Sequence, residues 1–317
     1  MVRGALPGRR GSASSLTIRY LRSFTDTVAT PTQWLEGARL RTLPLALAPV
    51  ITGSAAALAL GSLRFQLALL ACLVAVFLQV GVNYANDYSD GIKGTDEARV
   101  GPLRLTGSGA APAHRVRGAA FACFGAAMLA GLAIVVLTGM WWFLLIGLSA
   151  VFAAWGYTGG RSPYGYRGLG DVFVFLYFGL VATLGTTFIQ TATLSTTAWL
   201  TAVSMGLFAC ALLMANNIRD LPTDAQAGKL TLAVRLGEAR ARLIYAGQLG
   251  MAFALMVFTI PANPWTLLVF LAIPLAIPAA RTVLSGRTGI ELIPVLKQTG
   301  LLSLSFSVLL LIAVLLG

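Results

Sequence analysis

Nine apolar runs account for most of this chain, and each has close to the roughly 20 residues that a helix needs to cross a bilayer. The runs cover residues 40–60, 65–84, 118–138, 140–157, 171–190, 198–216, 241–260, 264–280 and 298–316. Hydrophobic residues make up 57% of the 317 residues and charged residues only 11%, whereas a soluble domain has about 25% charged residues. We therefore predict an all-α polytopic membrane protein, a bundle of nine transmembrane helices in the lipid bilayer.

The charged residues lie on one side of this predicted bundle. Of the 23 Lys and Arg residues, 22 lie in or next to the N-terminal stretch and the loops 85–117, 158–170, 217–240 and 281–297, and so do all 11 Asp and Glu residues. Positively charged loops face the cytoplasm in membrane proteins, so we expect these loops to form a cytoplasmic cap. Because this topology explains the net charge of +12, the excess of basic over acidic residues does not indicate a nucleic-acid partner.

Residues 1–33 differ from the rest of the chain in composition. They are rich in Arg, Ser, Thr and Gly, and they contain no long apolar segment. We expect a flexible cytoplasmic tail there rather than a cleaved signal peptide. A single membrane domain is expected to follow over residues 34–317.

The end of the second apolar run carries three oxygen-bearing side chains at helical spacing. Asn83, Asp87 and Asp90 stand at i, i+4 and i+7, so they share one face of a helix. Two carboxylates and an amide oxygen on one face suit a hard cation, and oxygen ligands of this kind favour Mg²⁺. The structural alternative is an acid–base network that fastens a loop at the membrane edge.

A similar set, Asn216, Asp220 and Asp224, ends the sixth run. Its members stand at i, i+4 and i+8 if the helix continues, although Pro222 predicts that the helix ends nearby. A solvated helix end is the alternative interpretation. Because both sets are predicted on the cytoplasmic side, and because ionisable residues at the mouth of a membrane bundle are costly, we interpret them as two metal-binding clusters.

Basic and aromatic side chains accompany the two clusters. Cationic groups beside carboxylates suit a metal-bridged phosphate, and the candidate residues are Lys93, Arg99, Arg104, Arg161 and Lys229. Tyr84, Tyr88 and Tyr157 could stabilise a carbocation through their ring faces. The glycine-rich loop 157–171 is equally consistent with a tight turn and with a ligand site. Together these features predict a site for a diphosphate with a lipid-soluble tail.

The ordered motifs resemble those of the UbiA superfamily of intramembrane prenyltransferases, over about residues 34–317. The resemblance is strongest to the 1,4-dihydroxy-2-naphthoate polyprenyltransferases of menaquinone synthesis. In the first motif, Asp87-x2-Asp90 is one residue tighter than the longer family spacing. The second Asp-rich motif is Asp220-x3-Asp224. The remaining motifs are Arg41-Thr42-Leu43-Pro44, Gly94-x-Asp96-x2-Arg99-x-Gly101-Pro102-x-Arg104, Tyr157-Thr158-Gly159-Gly160, the segments 163–171 and 228–237, and Asn216-Asn217-Ile218-Arg219-Asp220.

The resemblance implies a nine-helix enzyme of a bacterial cell membrane with Mg²⁺ as cofactor. Its substrates would be a polyprenyl diphosphate and 1,4-dihydroxy-2-naphthoate. The diphosphate would ionise, its C1 would alkylate the naphthoate ring, and loss of carbon dioxide would give demethylmenaquinone.

The resemblance also implies roles for residues of this chain. The metal and the diphosphate would be bound by Asn83, Asp87, Asp90, Asp220 and Asp224. Further substrate-binding residues, for the diphosphate or the naphthoate carboxylate, would be Lys93, Arg99, Arg104, Arg161, Asn216 and Lys229. The candidate proton acceptors are Asp90, Asp224 and Tyr157.

Three other functions remain open from the sequence. Another member of the superfamily would alkylate 4-hydroxybenzoate, homogentisate or haem. A membrane phosphatidyltransferase would also use Asp-rich helices, but the Gly-x3-Asp-x3-Asp pattern that should follow Asp90-Gly91 is missing. A cation-coupled transporter would place its carboxylates near the bilayer midplane rather than at one edge.

Overall fold

The structure, a computed structural model, describes residues 29–94 and 103–317, and these ranges contain helices and loops without a β-strand. Nine helices in these ranges correspond one to one to the nine predicted apolar runs, which confirms the all-α prediction. They are α1 Pro31–Ala59, α2 Phe65–Ile92, α3 Ala113–Thr138, α4 Phe143–Gly156, α5 Gly170–Thr191, α6 Thr196–Gln226, α7 Glu238–Thr259, α8 Pro264–Leu284 and α9 Gly289–Leu316.

Length and composition identify eight membrane spans among the described residues, one fewer than predicted. Within the described ranges, eight of the nine helices are long and apolar enough to cross a membrane, and α4 is the exception with 14 residues. A helix of that length measures about 21 Å, which is less than the ~30 Å hydrocarbon core. The chain nevertheless returns after α4 to the end of the bundle where α2 ends. There, Thr158 Oγ1 donates a hydrogen bond to Asn86 Oδ1 at 2.8 Å.

Helix α1 begins at Pro31, before the predicted domain start at residue 34. Thr30 Oγ1 accepts a hydrogen bond from the Gln33 backbone N–H at 3.3 Å, and Gln33 Oε1 accepts one from the Thr30 N–H at 2.8 Å. This capping box satisfies donors that a helix start leaves free. Most of the predicted tail, residues 1–28, lies outside the described residues.

Helix α1 bends at Arg39, whose φ of 54° is in the left-handed region. The conformation is strained for a residue with a Cβ, and such strain concentrates at functional sites. The bend brings Arg39 and Thr42 into the wall of a cavity among the first six helices.

Helices α5 and α6 cross in direct backbone contact. The segment Phe175–Val181 of α5 is π-helical, a form that is frequent at functional sites. A Cβ on Gly179 would lie 2.4 Å from the Cα of Gly206 in α6, and a Cβ on Gly206 would lie 2.6 Å from the ring of Phe175. Small residues at such crossings provide the close packing that holds membrane helices together.

Two of the apolar clusters of the core hold most of its buried aromatic rings. The larger one joins α6, α7, α8 and α9 around the fully buried Phe208, Tyr245 and Phe306. The second joins α2 and α3 to the segment before α3, with Leu105 and Phe124 at its centre. These packed clusters hold in place the helices that carry the cavity-lining side chains.

Candidate active site

A cavity of about 360 Å³, the main cavity, lies among α1–α6. Most of its wall is apolar, which suits a hydrocarbon ligand. Apart from tyrosines, its polar lining residues are Arg39, Thr42, Gln79, Asn83, Asn86, Asp90, Arg104, Thr158, Thr186, Asn216 and Lys229. Most of them come from the ends of α2 and α6 and from the loops at the same end of the bundle.

Helix α2 continues to Ile92 and places Asn83 and Asp90 in the cavity wall, as their spacing predicted. Asp90 is buried, and its Oδ1 accepts a hydrogen bond from the Tyr166 hydroxyl at 2.9 Å. Its Oδ2 lies 3.5 Å from Nη2 of Arg104. Asn83 Nδ2 donates to the carbonyl of Ala38 at 2.9 Å. The carboxylate of Asp90 is therefore the acidic group of α2 that faces the cavity.

Asp87 binds the polypeptide backbone. Its two carboxylate oxygens accept hydrogen bonds from the N–H groups of Leu105 at 2.7 Å and Thr106 at 2.8 Å. The residue is 1% exposed and lies outside the cavity wall. These bonds fix the chain next to Arg104. The contacts of Asp87 are therefore those of a residue that fastens a loop, which was the structural alternative to metal binding.

Helix α6 runs through Pro222 to Gln226, so the prediction that it ends near the proline is wrong. Thr223 Oγ1 donates to the carbonyl of Asp220 at 2.9 Å. Because the helix continues, Asp220 and Asp224 stay on one side of α6.

The two carboxylates of α6 have different partners. Arg219 donates to Asp220 from Nε at 2.7 Å and from Nη2 at 2.5 Å, and Nη2 also donates to Asn216 Oδ1 at 2.8 Å. Asp224 Oδ1 lies 3.5 Å from Nζ of Lys229. Both carboxylates are buried behind the wall of the main cavity, whereas Asn216 and Lys229 line it.

Tyr166 contacts both the residues at the end of α2 and Lys229, which follows α6. Its ring centroid lies 4.9 Å from Nζ of Lys93 and 5.3 Å from Nζ of Lys229, which are cation–π distances. Lys93 Nζ also donates to the carbonyl of Thr158 at 2.5 Å. Partial burial lowers the pKa of Lys93; the carboxylate of Asp90 acts in the opposite direction, and Lys229 adds to the lowering. Two ammonium groups are thus held beside the acidic residues of α2 and α6.

Tyr157 lines the main cavity and packs edge-on against Tyr164, with ring centroids 5.5 Å apart. Burial raises the pKa of Tyr157, and the carboxylate of Asp171 raises it further. Its phenol is therefore neutral at physiological pH, which favours a cation-stabilising role over that of a proton acceptor.

Tyr84 and Tyr88 lie outside the cavity wall, which argues against the prediction that their rings stabilise a carbocation there. Tyr84 donates its hydroxyl hydrogen to the carbonyl of Trp34 at 2.8 Å, and Tyr88 stacks on Trp155 with centroids 6.0 Å apart. Each helical residue is rotated by 100° from its neighbour, so these positions point away from the side of α2 that carries Asp90.

The predicted basic residues fall into three groups. Lys93, Arg104 and Lys229 contact the acidic residues or their neighbours as described above. Arg161 is exposed and lies outside the cavity wall. Arg99 lies outside the described residues, so its role remains a prediction.

A second cavity of about 50 Å³, the side cavity, adjoins the main cavity. The two cavities share Arg39, Thr42, Leu212 and Asn216. Arg41, Arg219 and Lys297 complete the cationic lining of the side cavity, which suits a small anion such as a carboxylate. Sequence motifs do not predict the side cavity, because its cationic residues come from α1, α6 and α9, which are far apart in sequence.

Residues 46–290 match the model of the UbiA prenyltransferase family. The chain belongs to the UbiA prenyltransferase family. Its relatives in this family include a 1,4-dihydroxy-2-naphthoate octaprenyltransferase of Mycobacterium tuberculosis, 50% identical over 269 residues that cover 85% of this chain and 92% of the relative. The enzyme of the same name from Escherichia coli is 39% identical over 275 residues, covering 84% and 89% of the two chains.

Solved UbiA structures share the fold. A UbiA homolog from Aeropyrum pernix K1 superposes with a TM-score of 0.66 at 16% identity, covering 86% of this chain and 97% of that one. A UbiA homolog from Archaeoglobus fulgidus bound to GPP and Mg²⁺ gives a TM-score of 0.63 at 16% identity, covering 89% and 99%. The family and the apolar helices together make this chain a multi-pass membrane protein.

The carboxylates of Asp90 and Asp224 are oxygen donors that each lie near a cationic side chain. Asp90 and Asp224 lie 3.5 Å from the cationic atoms of Arg104 and Lys229, which is longer than a direct hydrogen bond. Among the residues that the structure describes, three acidic, His or Cys side chains do not come together at any point. A cation would therefore depend on oxygens of a bound phosphate as well as on the protein.

Proposed function

We propose that this chain transfers a polyprenyl group from a polyprenyl diphosphate to 1,4-dihydroxy-2-naphthoate, a step of menaquinone biosynthesis. The C1–O bond of the diphosphate breaks, and both electrons leave with pyrophosphate. An electron pair of the ring forms the new bond to C1, and carbon dioxide departs from the ring and returns its bonding electrons. The balanced products are pyrophosphate, carbon dioxide and demethylmenaquinol, whose oxidation gives demethylmenaquinone.

This proposal rests on one observation: the main cavity has an apolar part and a charged part. A largely apolar wall from α3, α4 and α5 meets a charged end that contains Asp90, Arg104 and Lys229. A polyprenyl diphosphate has the same division between a hydrocarbon tail and a charged head. The identity of the acceptor is supported by the relatives named above, which reach 50% identity over most of their length.

The residues of this chain would act mainly by binding and by orienting the reactants. Lys93, Arg104 and Lys229 supply cations for the diphosphate as its charge grows on leaving. The neutral ring of Tyr157 lies in the cavity wall, where it would stabilise the allylic cation. The carboxylate of the acceptor fits the side cavity, where Arg41 and Lys297 line the wall.

Asp90 and Asp224 would hold the divalent cation, and Asn83 would supply an amide oxygen. When bound, Mg²⁺ would neutralise part of the charge of the leaving diphosphate. Asp87 and Asp220, which each bind donors through both oxygens, would hold Arg104 and Asn216 in position. By the distribution of positive charge, this end of the bundle would face the cytoplasm of a bacterial cell.

The test is an acceptor competition with the purified full-length chain in lipid nanodiscs. Mg²⁺, a defined polyprenyl diphosphate and equal amounts of 1,4-dihydroxy-2-naphthoate, 4-hydroxybenzoate and homogentisate are supplied together, and products are identified by mass spectrometry. We expect prenylated, decarboxylated naphthalenediol as the main product. Prenylation of one of the other acceptors, with the naphthoate unchanged, would assign a different substrate to the site.

A further inference from the structure

Three rings from α2, α3 and α4 form an aromatic stack at the surface of the bundle. Tyr88 stacks on Trp155 with ring centroids 6.0 Å apart, and the centroid of Phe121 lies 4.9 Å from that of Trp155. Phe121 is 50% exposed, and Phe152, which lies three residues before Trp155 on the same side of α4, is 72% exposed. The aromatic stack therefore borders an apolar surface of the membrane bundle that faces lipid.

Two arginines lie next to the aromatic stack. Cζ of Arg117 in α3 lies 5.7 Å from the ring centroid of Tyr88, which is a cation–π distance. In the loop after α4, Gly159 approaches Trp155 so closely that a Cβ on it would lie 3.1 Å from the indole ring. Arg161 follows two residues later, at most about 7 Å along the chain. Both arginines are exposed, and neither forms an ion pair within residues 29–94 and 103–317.

The lengths of α3 and α4 bring these arginines to the level of the lipid headgroups. Helix α3 has 26 residues, so it exceeds the ~30 Å hydrocarbon core by about 9 Å, and Arg117 lies in its second turn. Helix α4, with 14 residues, is about 9 Å shorter than that core, and a short span draws the neighbouring headgroups inward. Lipid phosphates next to α4 therefore come within reach of Arg117 and Arg161.

The chemistry of this surface matches an anionic phospholipid. A guanidinium group that lies over a ring retains N–H donors for a phosphate, tyrosine and tryptophan rings suit the region just below the headgroups, and the exposed Phe121 and Phe152 suit acyl chains. A zwitterionic lipid offers the same chains, but its own cationic group is repelled by two unpaired arginines. Arg117, Arg161 and the aromatic stack all lie outside the wall of the main cavity.

We infer that Arg117, Arg161 and the aromatic stack bind the headgroup of an anionic phospholipid. The phosphate lies between the two guanidinium groups, and the acyl chains extend along Phe121 and Phe152. Because the stack consists of residues from three helices, the bound lipid ties α2 to α3 and α4. This site is separate from the one that would take a polyprenyl diphosphate.

The experiment measures which lipid the protein retains. The purified full-length chain is offered equal amounts of a phosphatidylglycerol and a phosphatidylcholine with identical acyl chains, and native mass spectrometry gives the ratio in which the first lipid is bound. For the unaltered protein we expect at least a tenfold preference for phosphatidylglycerol. In Arg117→Gln/Arg161→Gln this ratio should fall about tenfold, because basic residues at the headgroup level supply the attraction to an anionic lipid.

The matched control is Arg240→Gln/Arg281→Gln, which removes the same amount of charge. These two arginines are also exposed and form no ion pair within the described ranges, but they lie in α7 and α8, which contribute no ring to the aromatic stack. The control should keep the lipid ratio of the unaltered protein. An equal fall in both double variants would indicate attraction by overall charge and would overturn the inference.

Three further results would overturn it. They are equal binding of the two lipids by the unaltered protein, an unchanged ratio in Arg117→Gln/Arg161→Gln, and displacement of the phosphatidylglycerol by an equal concentration of inorganic phosphate. Should the double variant fail to fold, Arg117→Gln decides in its place: a fall of about threefold or more supports the inference, and a smaller fall overturns it. Because no prenyl donor or acceptor is present, the outcome is independent of the proposed function.

Discussion

The Tyr166 hydroxyl donates a hydrogen bond of 2.9 Å to Oδ1 of Asp90, which lies 76 residues earlier in the chain. The ring of the same tyrosine contacts the ammonium groups of Lys93 and Lys229. One side chain from the glycine-rich loop therefore orients an acidic residue of α2 and two cations that would bind a diphosphate.

Replacing Tyr166 by Phe should impair catalysis without unfolding the protein. The ring and its cation contacts are kept, whereas a hydrogen bond to a charged group, worth about 1.5–3 kcal/mol, is lost. We expect kcat/KM for the polyprenyl diphosphate to fall roughly 10- to 100-fold. Tyr245→Phe is the matched control, because that hydroxyl bonds Thr299 in the core at 2.8 Å; it should change stability only. Equal kinetics in both variants would contradict the role of Tyr166.

Asp87→Asn should loosen the loop that carries Arg104. The amide retains one acceptor oxygen, so one of the two bonds to the N–H groups of Leu105 and Thr106 is lost. Hydrogen exchange at these two amides should accelerate by at least tenfold, since a bond to a carboxylate contributes about 1.5–3 kcal/mol. Prenyl transfer should fall in parallel. Unchanged exchange at both amides would show that Asp87 does not anchor the loop.

Removal of divalent cations should abolish prenyl transfer, and added Mg²⁺ should restore it. Asp90→Asn and Asp224→Asn each replace one anionic ligand by a neutral amide, so half-maximal activity should require at least tenfold more Mg²⁺. Glu291→Gln is the control, because Glu291 is about half exposed and pairs with Arg287 away from the cavity. A Mg²⁺ requirement that is the same in all three variants would exclude Asp90 and Asp224 as ligands.

Arg219→Met should destabilise the protein strongly. Asp220 is 6% exposed, and removal of the arginine that binds both its oxygens leaves a buried carboxylate without this cation. Breaking a buried ion pair from one side costs about 3–5 kcal/mol, whereas replacing both partners is often close to neutral. The double variant Arg219→Met/Asp220→Leu should therefore be more stable than Arg219→Met. Thermal unfolding in detergent measures both, and additive losses would contradict this coupling.

The sequence predicts the helices well because apolar length and helical spacing depend on residues near each other in the chain. The periodicity of Asn83, Asp87 and Asp90 predicted one shared helix face, of which Asn83 and Asp90 line the main cavity, and the apolar runs located all nine helices. The contacts of Asp87 could not be predicted, because its partners are backbone N–H groups, which every non-proline residue possesses. The role of Tyr166 could not be predicted for a related reason. Its partners Asp90, Lys93 and Lys229 come together around it only in the folded protein.

The spanning length of α4 and the course of α6 show two further limits of local patterns. An apolar run does not indicate where its helix begins and ends, and α4 uses only 14 residues of its run. Pro222 was a poor indicator of a helix end because a proline costs one backbone bond, which packing and side-chain bonds can offset.

The crossing of Gly179 and Gly206 has a consequence for attempts to engineer the range of prenyl chains. Since α5 and α6 touch there through their backbones, the spacing of these two helices is already at its minimum, and any larger residue would push the helices apart. Space for bulkier prenyl chains has to come from shortening side chains that project from the π-helical turn, such as Phe178 and Tyr177. A library that varies these rings and leaves both glycines intact would explore new substrates on an unchanged frame.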